Sequence, residues 1–335
     1  MKVFVQIPCH NEEASLADVI REIPREIEGV DEVKVLIIDD GSSDNTVQVA
    51  KNSGVDFIVF NDQQQGLAKS FVRGLHACLH LGADIVVNTD GDNQYQGAFI
   101  SDLVQPILKN QADLVIGSRD ITNHQEFSPL KKFLQKLGSQ LVSHITKIKI
   151  HDATSGFRAI RKQVAYQLHV LNNFSYTLET LIQVAHLGSR IKGVPIQVNP
   201  KRRESRLFRS IPDFIMRQVL VLLKVLLFYS PARFFSFLAG FSFIISLILS
   251  SRIIYYVYFA TETVQKIKTG SGFALTFFAT ATVIFLMAGF LGSILSGLRF
   301  LLIEQLNRIK QMEWKMKINP IDLNIWQKDK EEGLQ

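Results

Sequence analysis

The chain has 335 residues, 47% of them hydrophobic and 20% charged, which excludes a disordered or collagen-like polymer. Its formal net charge of +6 admits nucleic acid or an anionic membrane face as a partner, and the placement of the charge decides between them. Two cysteines, Cys9 and Cys78, are too few for a disulfide framework or a four-sulfur zinc site and point to a reducing compartment.

The opening MKVFVQIP reads as a first β-strand rather than a signal peptide, because its apolar run meets Pro8 and polar residues at once. Up to about residue 200, short Val- and Ile-rich runs (KVFVQI, VKVLII, FIVF, ADIVVNT, DLVIGS) alternate with helical patterns such as ASLADVIREI, NTVQVAKNSG, GLAKSFVRGLHACLHLG and FISDLVQPILKN. Strands separated by helices of this length predict an α/β fold, a mostly parallel sheet with helices on both faces. Ligands of such sheets bind at the carboxyl ends of the strands.

That is where the unusual polar residues fall. PCHNEE (8–13) follows the first run, IIDDGSSDNT (37–46) the second and NTDGDNQY (88–95) the fourth. GSR (117–119), HDATSGFRA (151–159) and SYTLET (175–180) come after them. Asp90 and Asp92, separated by Gly91, can converge two hard oxygen ligands on one divalent cation, with the Gln94 amide as a third. An isolated D-x-D is also common in turns, and Asp44 or Ser43 can simply cap the helix from Asn45. Asp152 can equally be a turn or capping residue before TSGF. His76 and His80 lie four apart on a helical pattern with no acidic partner and read as helix surface. Cys9 has no constellation around it for nucleophilic catalysis, and Gly66 and Gly74 read as turn and packing positions, since no GxxxxGK[ST] is present.

Beyond residue 200 the composition changes. Lys201, Arg202, Arg203, Arg206 and Arg209 form a basic run, and Ser210-Ile211-Pro212-Asp213 reads as a helix start. The apolar segment that follows carries Arg217 and Lys224 on one face, so 210–230 is expected to be an amphipathic helix lying in a membrane interface. Eighteen residues without charge separate Arg233 from Arg252, and thirty separate Lys268 from Arg299. A helix of about 20 apolar residues crosses the hydrocarbon core, so spans are expected at 231–256 and 273–298, joined by an external loop at 257–272. Basic residues dominate both flanks of the pair while the loop holds only Lys266 and Lys268. The positive-inside rule therefore puts both long ends in the cytoplasm, with 299–335 an amphipathic tail whose last residues, from 320, are solvated. This reading makes the membrane, not nucleic acid, the partner of the charge.

Five clusters in order, Pro8-x-His10-Asn11-Glu12, Asp39-Asp40-Gly41-Ser42, Asp90-x-Asp92-x-Gln94, Gly117-Ser118-Arg119 and Asp152-x-x-Ser155-Gly156-Phe157-Arg158, resemble the family 2 glycosyltransferases of GT-A fold. The closer resemblance is to polyprenyl-phosphate (dolichol-phosphate-type) enzymes with a carboxy-terminal membrane hairpin. It implies a Rossmann-like GT-A catalytic domain over 1–209, a nucleotide-sugar donor, Mg2+ or Mn2+ on its diphosphate, and inversion at the anomeric carbon. Pro8, His10, Glu12 and Asp40 are then expected to line the nucleotide pocket, with Asp90 and Arg119 on the donor side. Asp90, Asp92 and Gln94 would hold the metal, Asp92 and Asp152 would be catalytic, and Lys132 would face a phosphate. Glu179 falls where such enzymes commonly place an acid. The late basic motif R-x-x-G-x-S-K departs here: Ser205-Arg206 fits its end, but Arg203 stands in place of the Gly. Arg202, Arg203, Ser205 and Arg206 are expected to receive the acceptor phosphate.

The implied reaction is sugar transfer to a polyprenyl phosphate on the cytoplasmic face by an integral membrane protein, with a homo-oligomer left open. A glycolipid or other acceptor is the alternative. A processive synthase would carry Q-x-x-R-W and more spans, and a non-catalytic module would not need Asp90, Asp92 and Asp152 together.

Overall fold

The alternating runs form one eight-stranded sheet in the computed structural model, which describes residues 1–120, 129–170, 176–200, 216, 219–220, 223–224, 226–259, 265–315 and 324–328. The chain divides into two compact units, 1–215 with 306–335, and 216–305.

In the first unit the strands are β1 (Lys2–Cys9), β2 (Glu32–Asp39), β3 (Phe57–Phe60), β4 (Ile85–Asn88), β5 (Leu114–Arg119), β6 (Arg158–Arg161), β7 (Ile191–Ile196) and β8 (Ile325–Gln327), in spatial order β7-β5-β6-β4-β1-β2-β3-β8. Helices α1 (Leu16–Glu22), α2 (Thr46–Asn52), α3 (Leu67–His80) and α4 (Ile100–Leu108) supply the crossovers among the first five strands. These are followed by α5 (Pro129–Thr146), α6 (Lys162–Ala165) and α7 (Thr177–His186). Strand β1 pairs in parallel with β2 and β4, β2 with β3, and β5 with β7. The mostly parallel sheet expected from the sequence is present.

Two strands run the other way. Strand β6 lies antiparallel between β4 and β5, so its beginning, Arg158, meets the carboxyl ends of its neighbours, and the 152–157 loop arrives at the same edge as the loops after β1, β2, β4 and β5. Strand β8 pairs antiparallel with β3, with Ile58 opposite Trp326. The tail expected to be solvated therefore supplies the sheet's last strand. Trp326 packs against the core, Phe60 N donates to Asn324 O at 3.1 Å, and the Lys51 ammonium sits 4.7 Å from the Trp326 ring centre. The β3 edge is thereby covered, and the sheet ends on a strand of three residues, a short edge that pairs poorly with other chains.

The core lies between the sheet and its helices. Val3, Val5, Ile7, Val35, Ile37, Ile85 and Val87 are fully buried. Gly74 is a packing position, as expected, because a Cβ there would lie 2.5 Å from Ile38 Cδ1.

The second unit contains α8 (Pro231–Phe259) and most of α9 (Gln265–Lys315). Pro231–Tyr258 and Gly270–Leu306, with mean hydropathies of 2.0 and 2.1, are long and apolar enough to cross a membrane. Both helices overrun the spans read from charge alone. Small residues let them approach: a Cβ on Gly292 would meet Pro231 Cβ at 2.7 Å, and one on Gly289 would meet Phe235 Cβ at 3.2 Å. Ser242 Oγ donates to Phe278 O across the pair at 2.8 Å. In an apolar solvent, such close packing and hydrogen bonding, rather than hydrophobic burial, would hold two helices together. Of the amphipathic helix expected over 210–230, residues 216, 219–220, 223–224 and 226–229 are described and helical, and the rest lies outside the described residues.

Candidate active site

Strands β1, β2, β4 and β5 share one direction, so their carboxyl ends place Cys9, Asp39, Asn88 and Arg119 along one edge of the sheet. The loops leaving it are tied together by side chains. Asn11, at φ +56°, takes a conformation that asparagine tolerates better than most residues. Asn11 N donates to Ser42 Oγ at 3.0 Å and Glu12 N to Thr46 Oγ1 at 2.8 Å. Asp44 accepts from Thr46 N and Glu13 N, the turn-and-cap role open to it in the sequence.

His10 and Asp40 come together, with His10 Nδ1 3.0 Å from Asp40 O. The Asp40 carboxylate accepts from Gln65 N, Gly66 N and Asn61 Nδ2 at 2.7–2.8 Å. It therefore fixes the 61–66 loop as one wall of this end of the site. Pro8 is buried within β1, and Glu12 is half-buried. A Cβ on Gly91 would lie 3.1 Å from Glu12 Cγ and 3.2 Å from Cys9 Sγ, so the D-G-D turn packs directly on the first loop. Burial, then the charges of Glu12 and Asp39, push the Cys9 thiol well up. It stays a thiol near neutral pH.

Asp90 and Asp92 are both half-buried at this turn. Burial, with the charge of Asp92 next, pushes the Asp90 carboxyl up to about 7. Asp92 Oδ1 accepts from Gln94 N at 3.0 Å, which closes the turn and keeps Gln94 beside it. A poorly hydrated carboxylate, Asp90, beside a second one is a donor pair that a divalent cation relieves, and the hard oxygens of both fit Mg2+ or Mn2+. Among the described residues no group of three His, Cys, Asp or Glu side chains converges for a metal. Two carboxylates completed by neutral oxygens are what these residues offer.

The opposite wall is the 152–157 loop. Asp152 is fully buried and accepts from Arg119 Nε at 2.7 Å and Arg119 Nη2 at 3.2 Å. Arg119 Nη2 also donates to Thr154 Oγ1 at 3.0 Å. Burial alone would raise the Asp152 pKa, but the charge and hydrogen bonds of Arg119 hold it below the usual carboxylate range.

Several residues given no role in the sequence reading shape this wall. The Arg158 guanidinium, fully buried, donates to Ala153 O, Ser155 O, Thr177 O and Thr180 Oγ1, which pins the loop to the start of α7. Burial lowers its pKa to about 10, so it remains a cation at neutral pH. Tyr95 Oη accepts from Gly156 N at 3.2 Å, and its ring stacks on Phe157. Asn88 donates to Tyr176 Oη and Gly156 O. A Cβ on Gly156 would lie 2.9 Å from Tyr176 Oη and 3.2 Å from Asp90 Oδ1, so the loop backbone rests against the Asp90 carboxylate. Tyr95 and Tyr176 had a signal in NTDGDNQY and SYTLET, apolar-sized rings inside polar clusters. Glu179 is buried in the first turn of α7. Lys132 is half-buried on α5. Arg202, Arg203, Ser205 and Arg206 lie outside the described residues.

Residues 4–168 match the family model for glycosyl transferase family 2. The UDP-N-acetylglucosamine–dolichyl-phosphate N-acetylglucosaminyltransferase of Methanococcus voltae is 29% identical over 179 residues, covering 48% of this chain and 69% of that protein. The dolichyl-phosphate hexose transferase of Haloferax volcanii is 29% identical over 204 residues, covering 61% of this chain and 85% of that one. Glucosyl-3-phosphoglycerate synthase from Mycobacterium tuberculosis, in its complex with Mn2+ and UDP-glucose, superposes with a TM-score of 0.51 at 26% identity, covering 67% of this chain and 78% of that one.

Proposed function

We propose that this chain, whose residues 4–168 match the family model for glycosyl transferase family 2, is a glycosyltransferase that transfers a sugar from a nucleotide-diphosphate donor to a polyprenyl phosphate. The observation that carries the reading is the Asp90–Asp92 pair at the carboxyl edge of the sheet, closed in by Gly156. The relatives named above, whose acceptors are dolichyl phosphates, and two helices long enough to cross a bilayer support the lipid acceptor.

Pro8, His10, Glu12 and Asp40 line the nucleotide end. Asp90, Asp92 and Gln94 would hold Mg2+ or Mn2+, which when bound offsets the charge on the departing diphosphate. The acceptor phosphate, with a second pKa near 6, is largely dianionic at neutral pH and needs no strong base. One of its oxygens forms the new bond to the anomeric carbon as the bond to the diphosphate oxygen breaks on the opposite face, so the configuration inverts. Asp152, held ionised and locked on Arg119, orients that guanidinium toward the phosphates rather than taking up a proton. Lys132 with Arg202, Arg203, Ser205 and Arg206 receives the lipid phosphate. The basic flanks of the two spans favour the cytoplasmic face.

The test is incubation of the purified full chain with radiolabelled nucleotide sugars and undecaprenyl or dolichyl phosphate. Label should enter the lipid fraction in wild type and not in Asp92→Asn, and the product anomer should be opposite to the donor's. Transfer only to a glycolipid, or equal transfer by the variant, would refute the reading.

A further inference from the structure

From Phe127 to His151 the sequence holds five lysines and no Asp or Glu, and the structure turns much of this segment into α5. Its inner face is committed: Gln135, Ser139 and Val142 are buried, and Ser139 Oγ accepts from Ala153 N at 3.1 Å, which ties the helix to the Asp152 loop. The outward stripe follows helical spacing through Phe133, Lys136, Leu137, Gln140 and His144. Phe133 is 61% exposed and Leu137 42%, next to an exposed Lys136.

Two exposed large apolar side chains with Lys136 between them, on a helix that carries no acid, do not suit a water-facing surface. We propose that this face of α5 rests on an anionic lipid surface, with Phe133 and Leu137 entering the headgroup layer and Lys136 against lipid phosphates. The occupant is a bilayer rather than an acidic protein or RNA because the stripe sets exposed Lys136 between two exposed large apolar side chains, Phe133 and Leu137, and because the same chain carries two helices of spanning length. The Ser139–Ala153 bond then makes the docked helix a direct support of the loop that carries Asp152. This rests on the reading that the enzyme acts on a lipid acceptor.

The experiment uses the full chain in phosphatidylcholine liposomes with and without phosphatidylglycerol. A fluorophore is attached through Phe133→Cys, Leu137→Cys or, as an exposed control, Lys109→Cys, since the native Cys9 and Cys78 are buried. Brominated acyl chains should quench positions 133 and 137 severalfold more than 109, and only when phosphatidylglycerol is present. A charge near an anionic surface is worth about fivefold in binding, so Lys136→Gln should lower the docked-to-undocked ratio about fivefold. Equal quenching at all three positions, quenching indifferent to phosphatidylglycerol, or protection given by RNA and not by lipid would overturn the proposal. Protein that transfers sugar to polyprenyl phosphate without quenching refutes the docking alone. Protein that is quenched without transfer refutes the acceptor reading alone.

Discussion

Arg119 and Asp152 neutralise each other inside the site: both are buried, and the guanidinium grips both carboxylate oxygens. They come from different elements, the last residue of β5 and the loop before β6, so the pair also locks the far wall of the site to the sheet. A carboxylate committed in this way is a poor base. Burial opposes its charge, yet Arg119 keeps it ionised well into acid.

Asp152→Asn should leave the buried Arg119 cation poorly compensated and cost on the order of 3 kcal/mol of stability. Arg119→Met with Asp152→Leu should recover most of that loss, measured by denaturant unfolding as a double-mutant cycle. The folded pKa of Asp152 is depressed, so its contribution is present above the unfolded value near 3.9 and lost as pH falls through the lower folded one. In activity, a positioning role predicts a lower kcat with the acid limb of the pH–rate profile unmoved. A shift of that limb in Asp152→Asn would instead make Asp152 a proton acceptor in the reaction.

Asp90 predicts the opposite linkage. Its folded pKa of about 7 means that, between about pH 4 and 7, the folded protein holds a proton the unfolded chain has released. The metal-free protein should lose stability at this site as pH rises through that window. A bound cation must displace the proton, so the half-saturating Mn2+ concentration for thermal stabilisation should fall about tenfold per pH unit up to neutrality and then level off. A pH-independent midpoint would show that Asp90 is not a ligand.

Gly156 is a closer probe of the same carboxylate. A methyl at this position would press on Tyr176 Oη at 2.9 Å and on the Asp90 oxygens at 3.2 and 3.3 Å. Gly156→Ala should cost about 1–3 kcal/mol by overpacking and lower kcat at least about tenfold, with nucleotide binding less affected. Adding Tyr176→Phe removes the nearer oxygen and should return part of the activity. Failure of the double variant to exceed the single one would place the damage elsewhere.

The first five strands and four helices were legible because each strand is a short apolar run and each helix an amphipathic one. The Asp90–Asp92 turn was legible because its neighbours all fall at strand ends. Strand β6 was not: it is four residues long, and its first side chain, Arg158, is a fully buried cation, which no apolar pattern announces. The pairing of Arg119 with Asp152 was also hidden, because an antiparallel strand brings together residues whose separate positions suggested a donor-side cation and a catalytic carboxylate. Strand β8 was the least visible. Ile325-Trp326-Gln327 is surrounded by charges, and only its pairing with β3 makes it a strand.

That pairing yields the last prediction. Ending the chain after Arg209 keeps the first seven strands but strips β8 from the sheet and leaves Phe57, Ile58 and Val59 as a bare, apolar edge. The edge would then be free to pair with other chains. Residues 1–209 should therefore unfold at lower denaturant than the full chain and scatter light increasingly with concentration. Within the full chain, Trp326→Ala removes a half-buried indole and its Lys51 contact and should cost about 2 kcal/mol, whereas Gln327→Ala should cost little. Supplying a peptide of residues 320–335 to the 1–209 fragment should raise its unfolding midpoint and suppress the scattering. If the fragment were as stable as the full chain and monomeric at all concentrations, strand β8 would be an ornament of the sheet and not its closing edge.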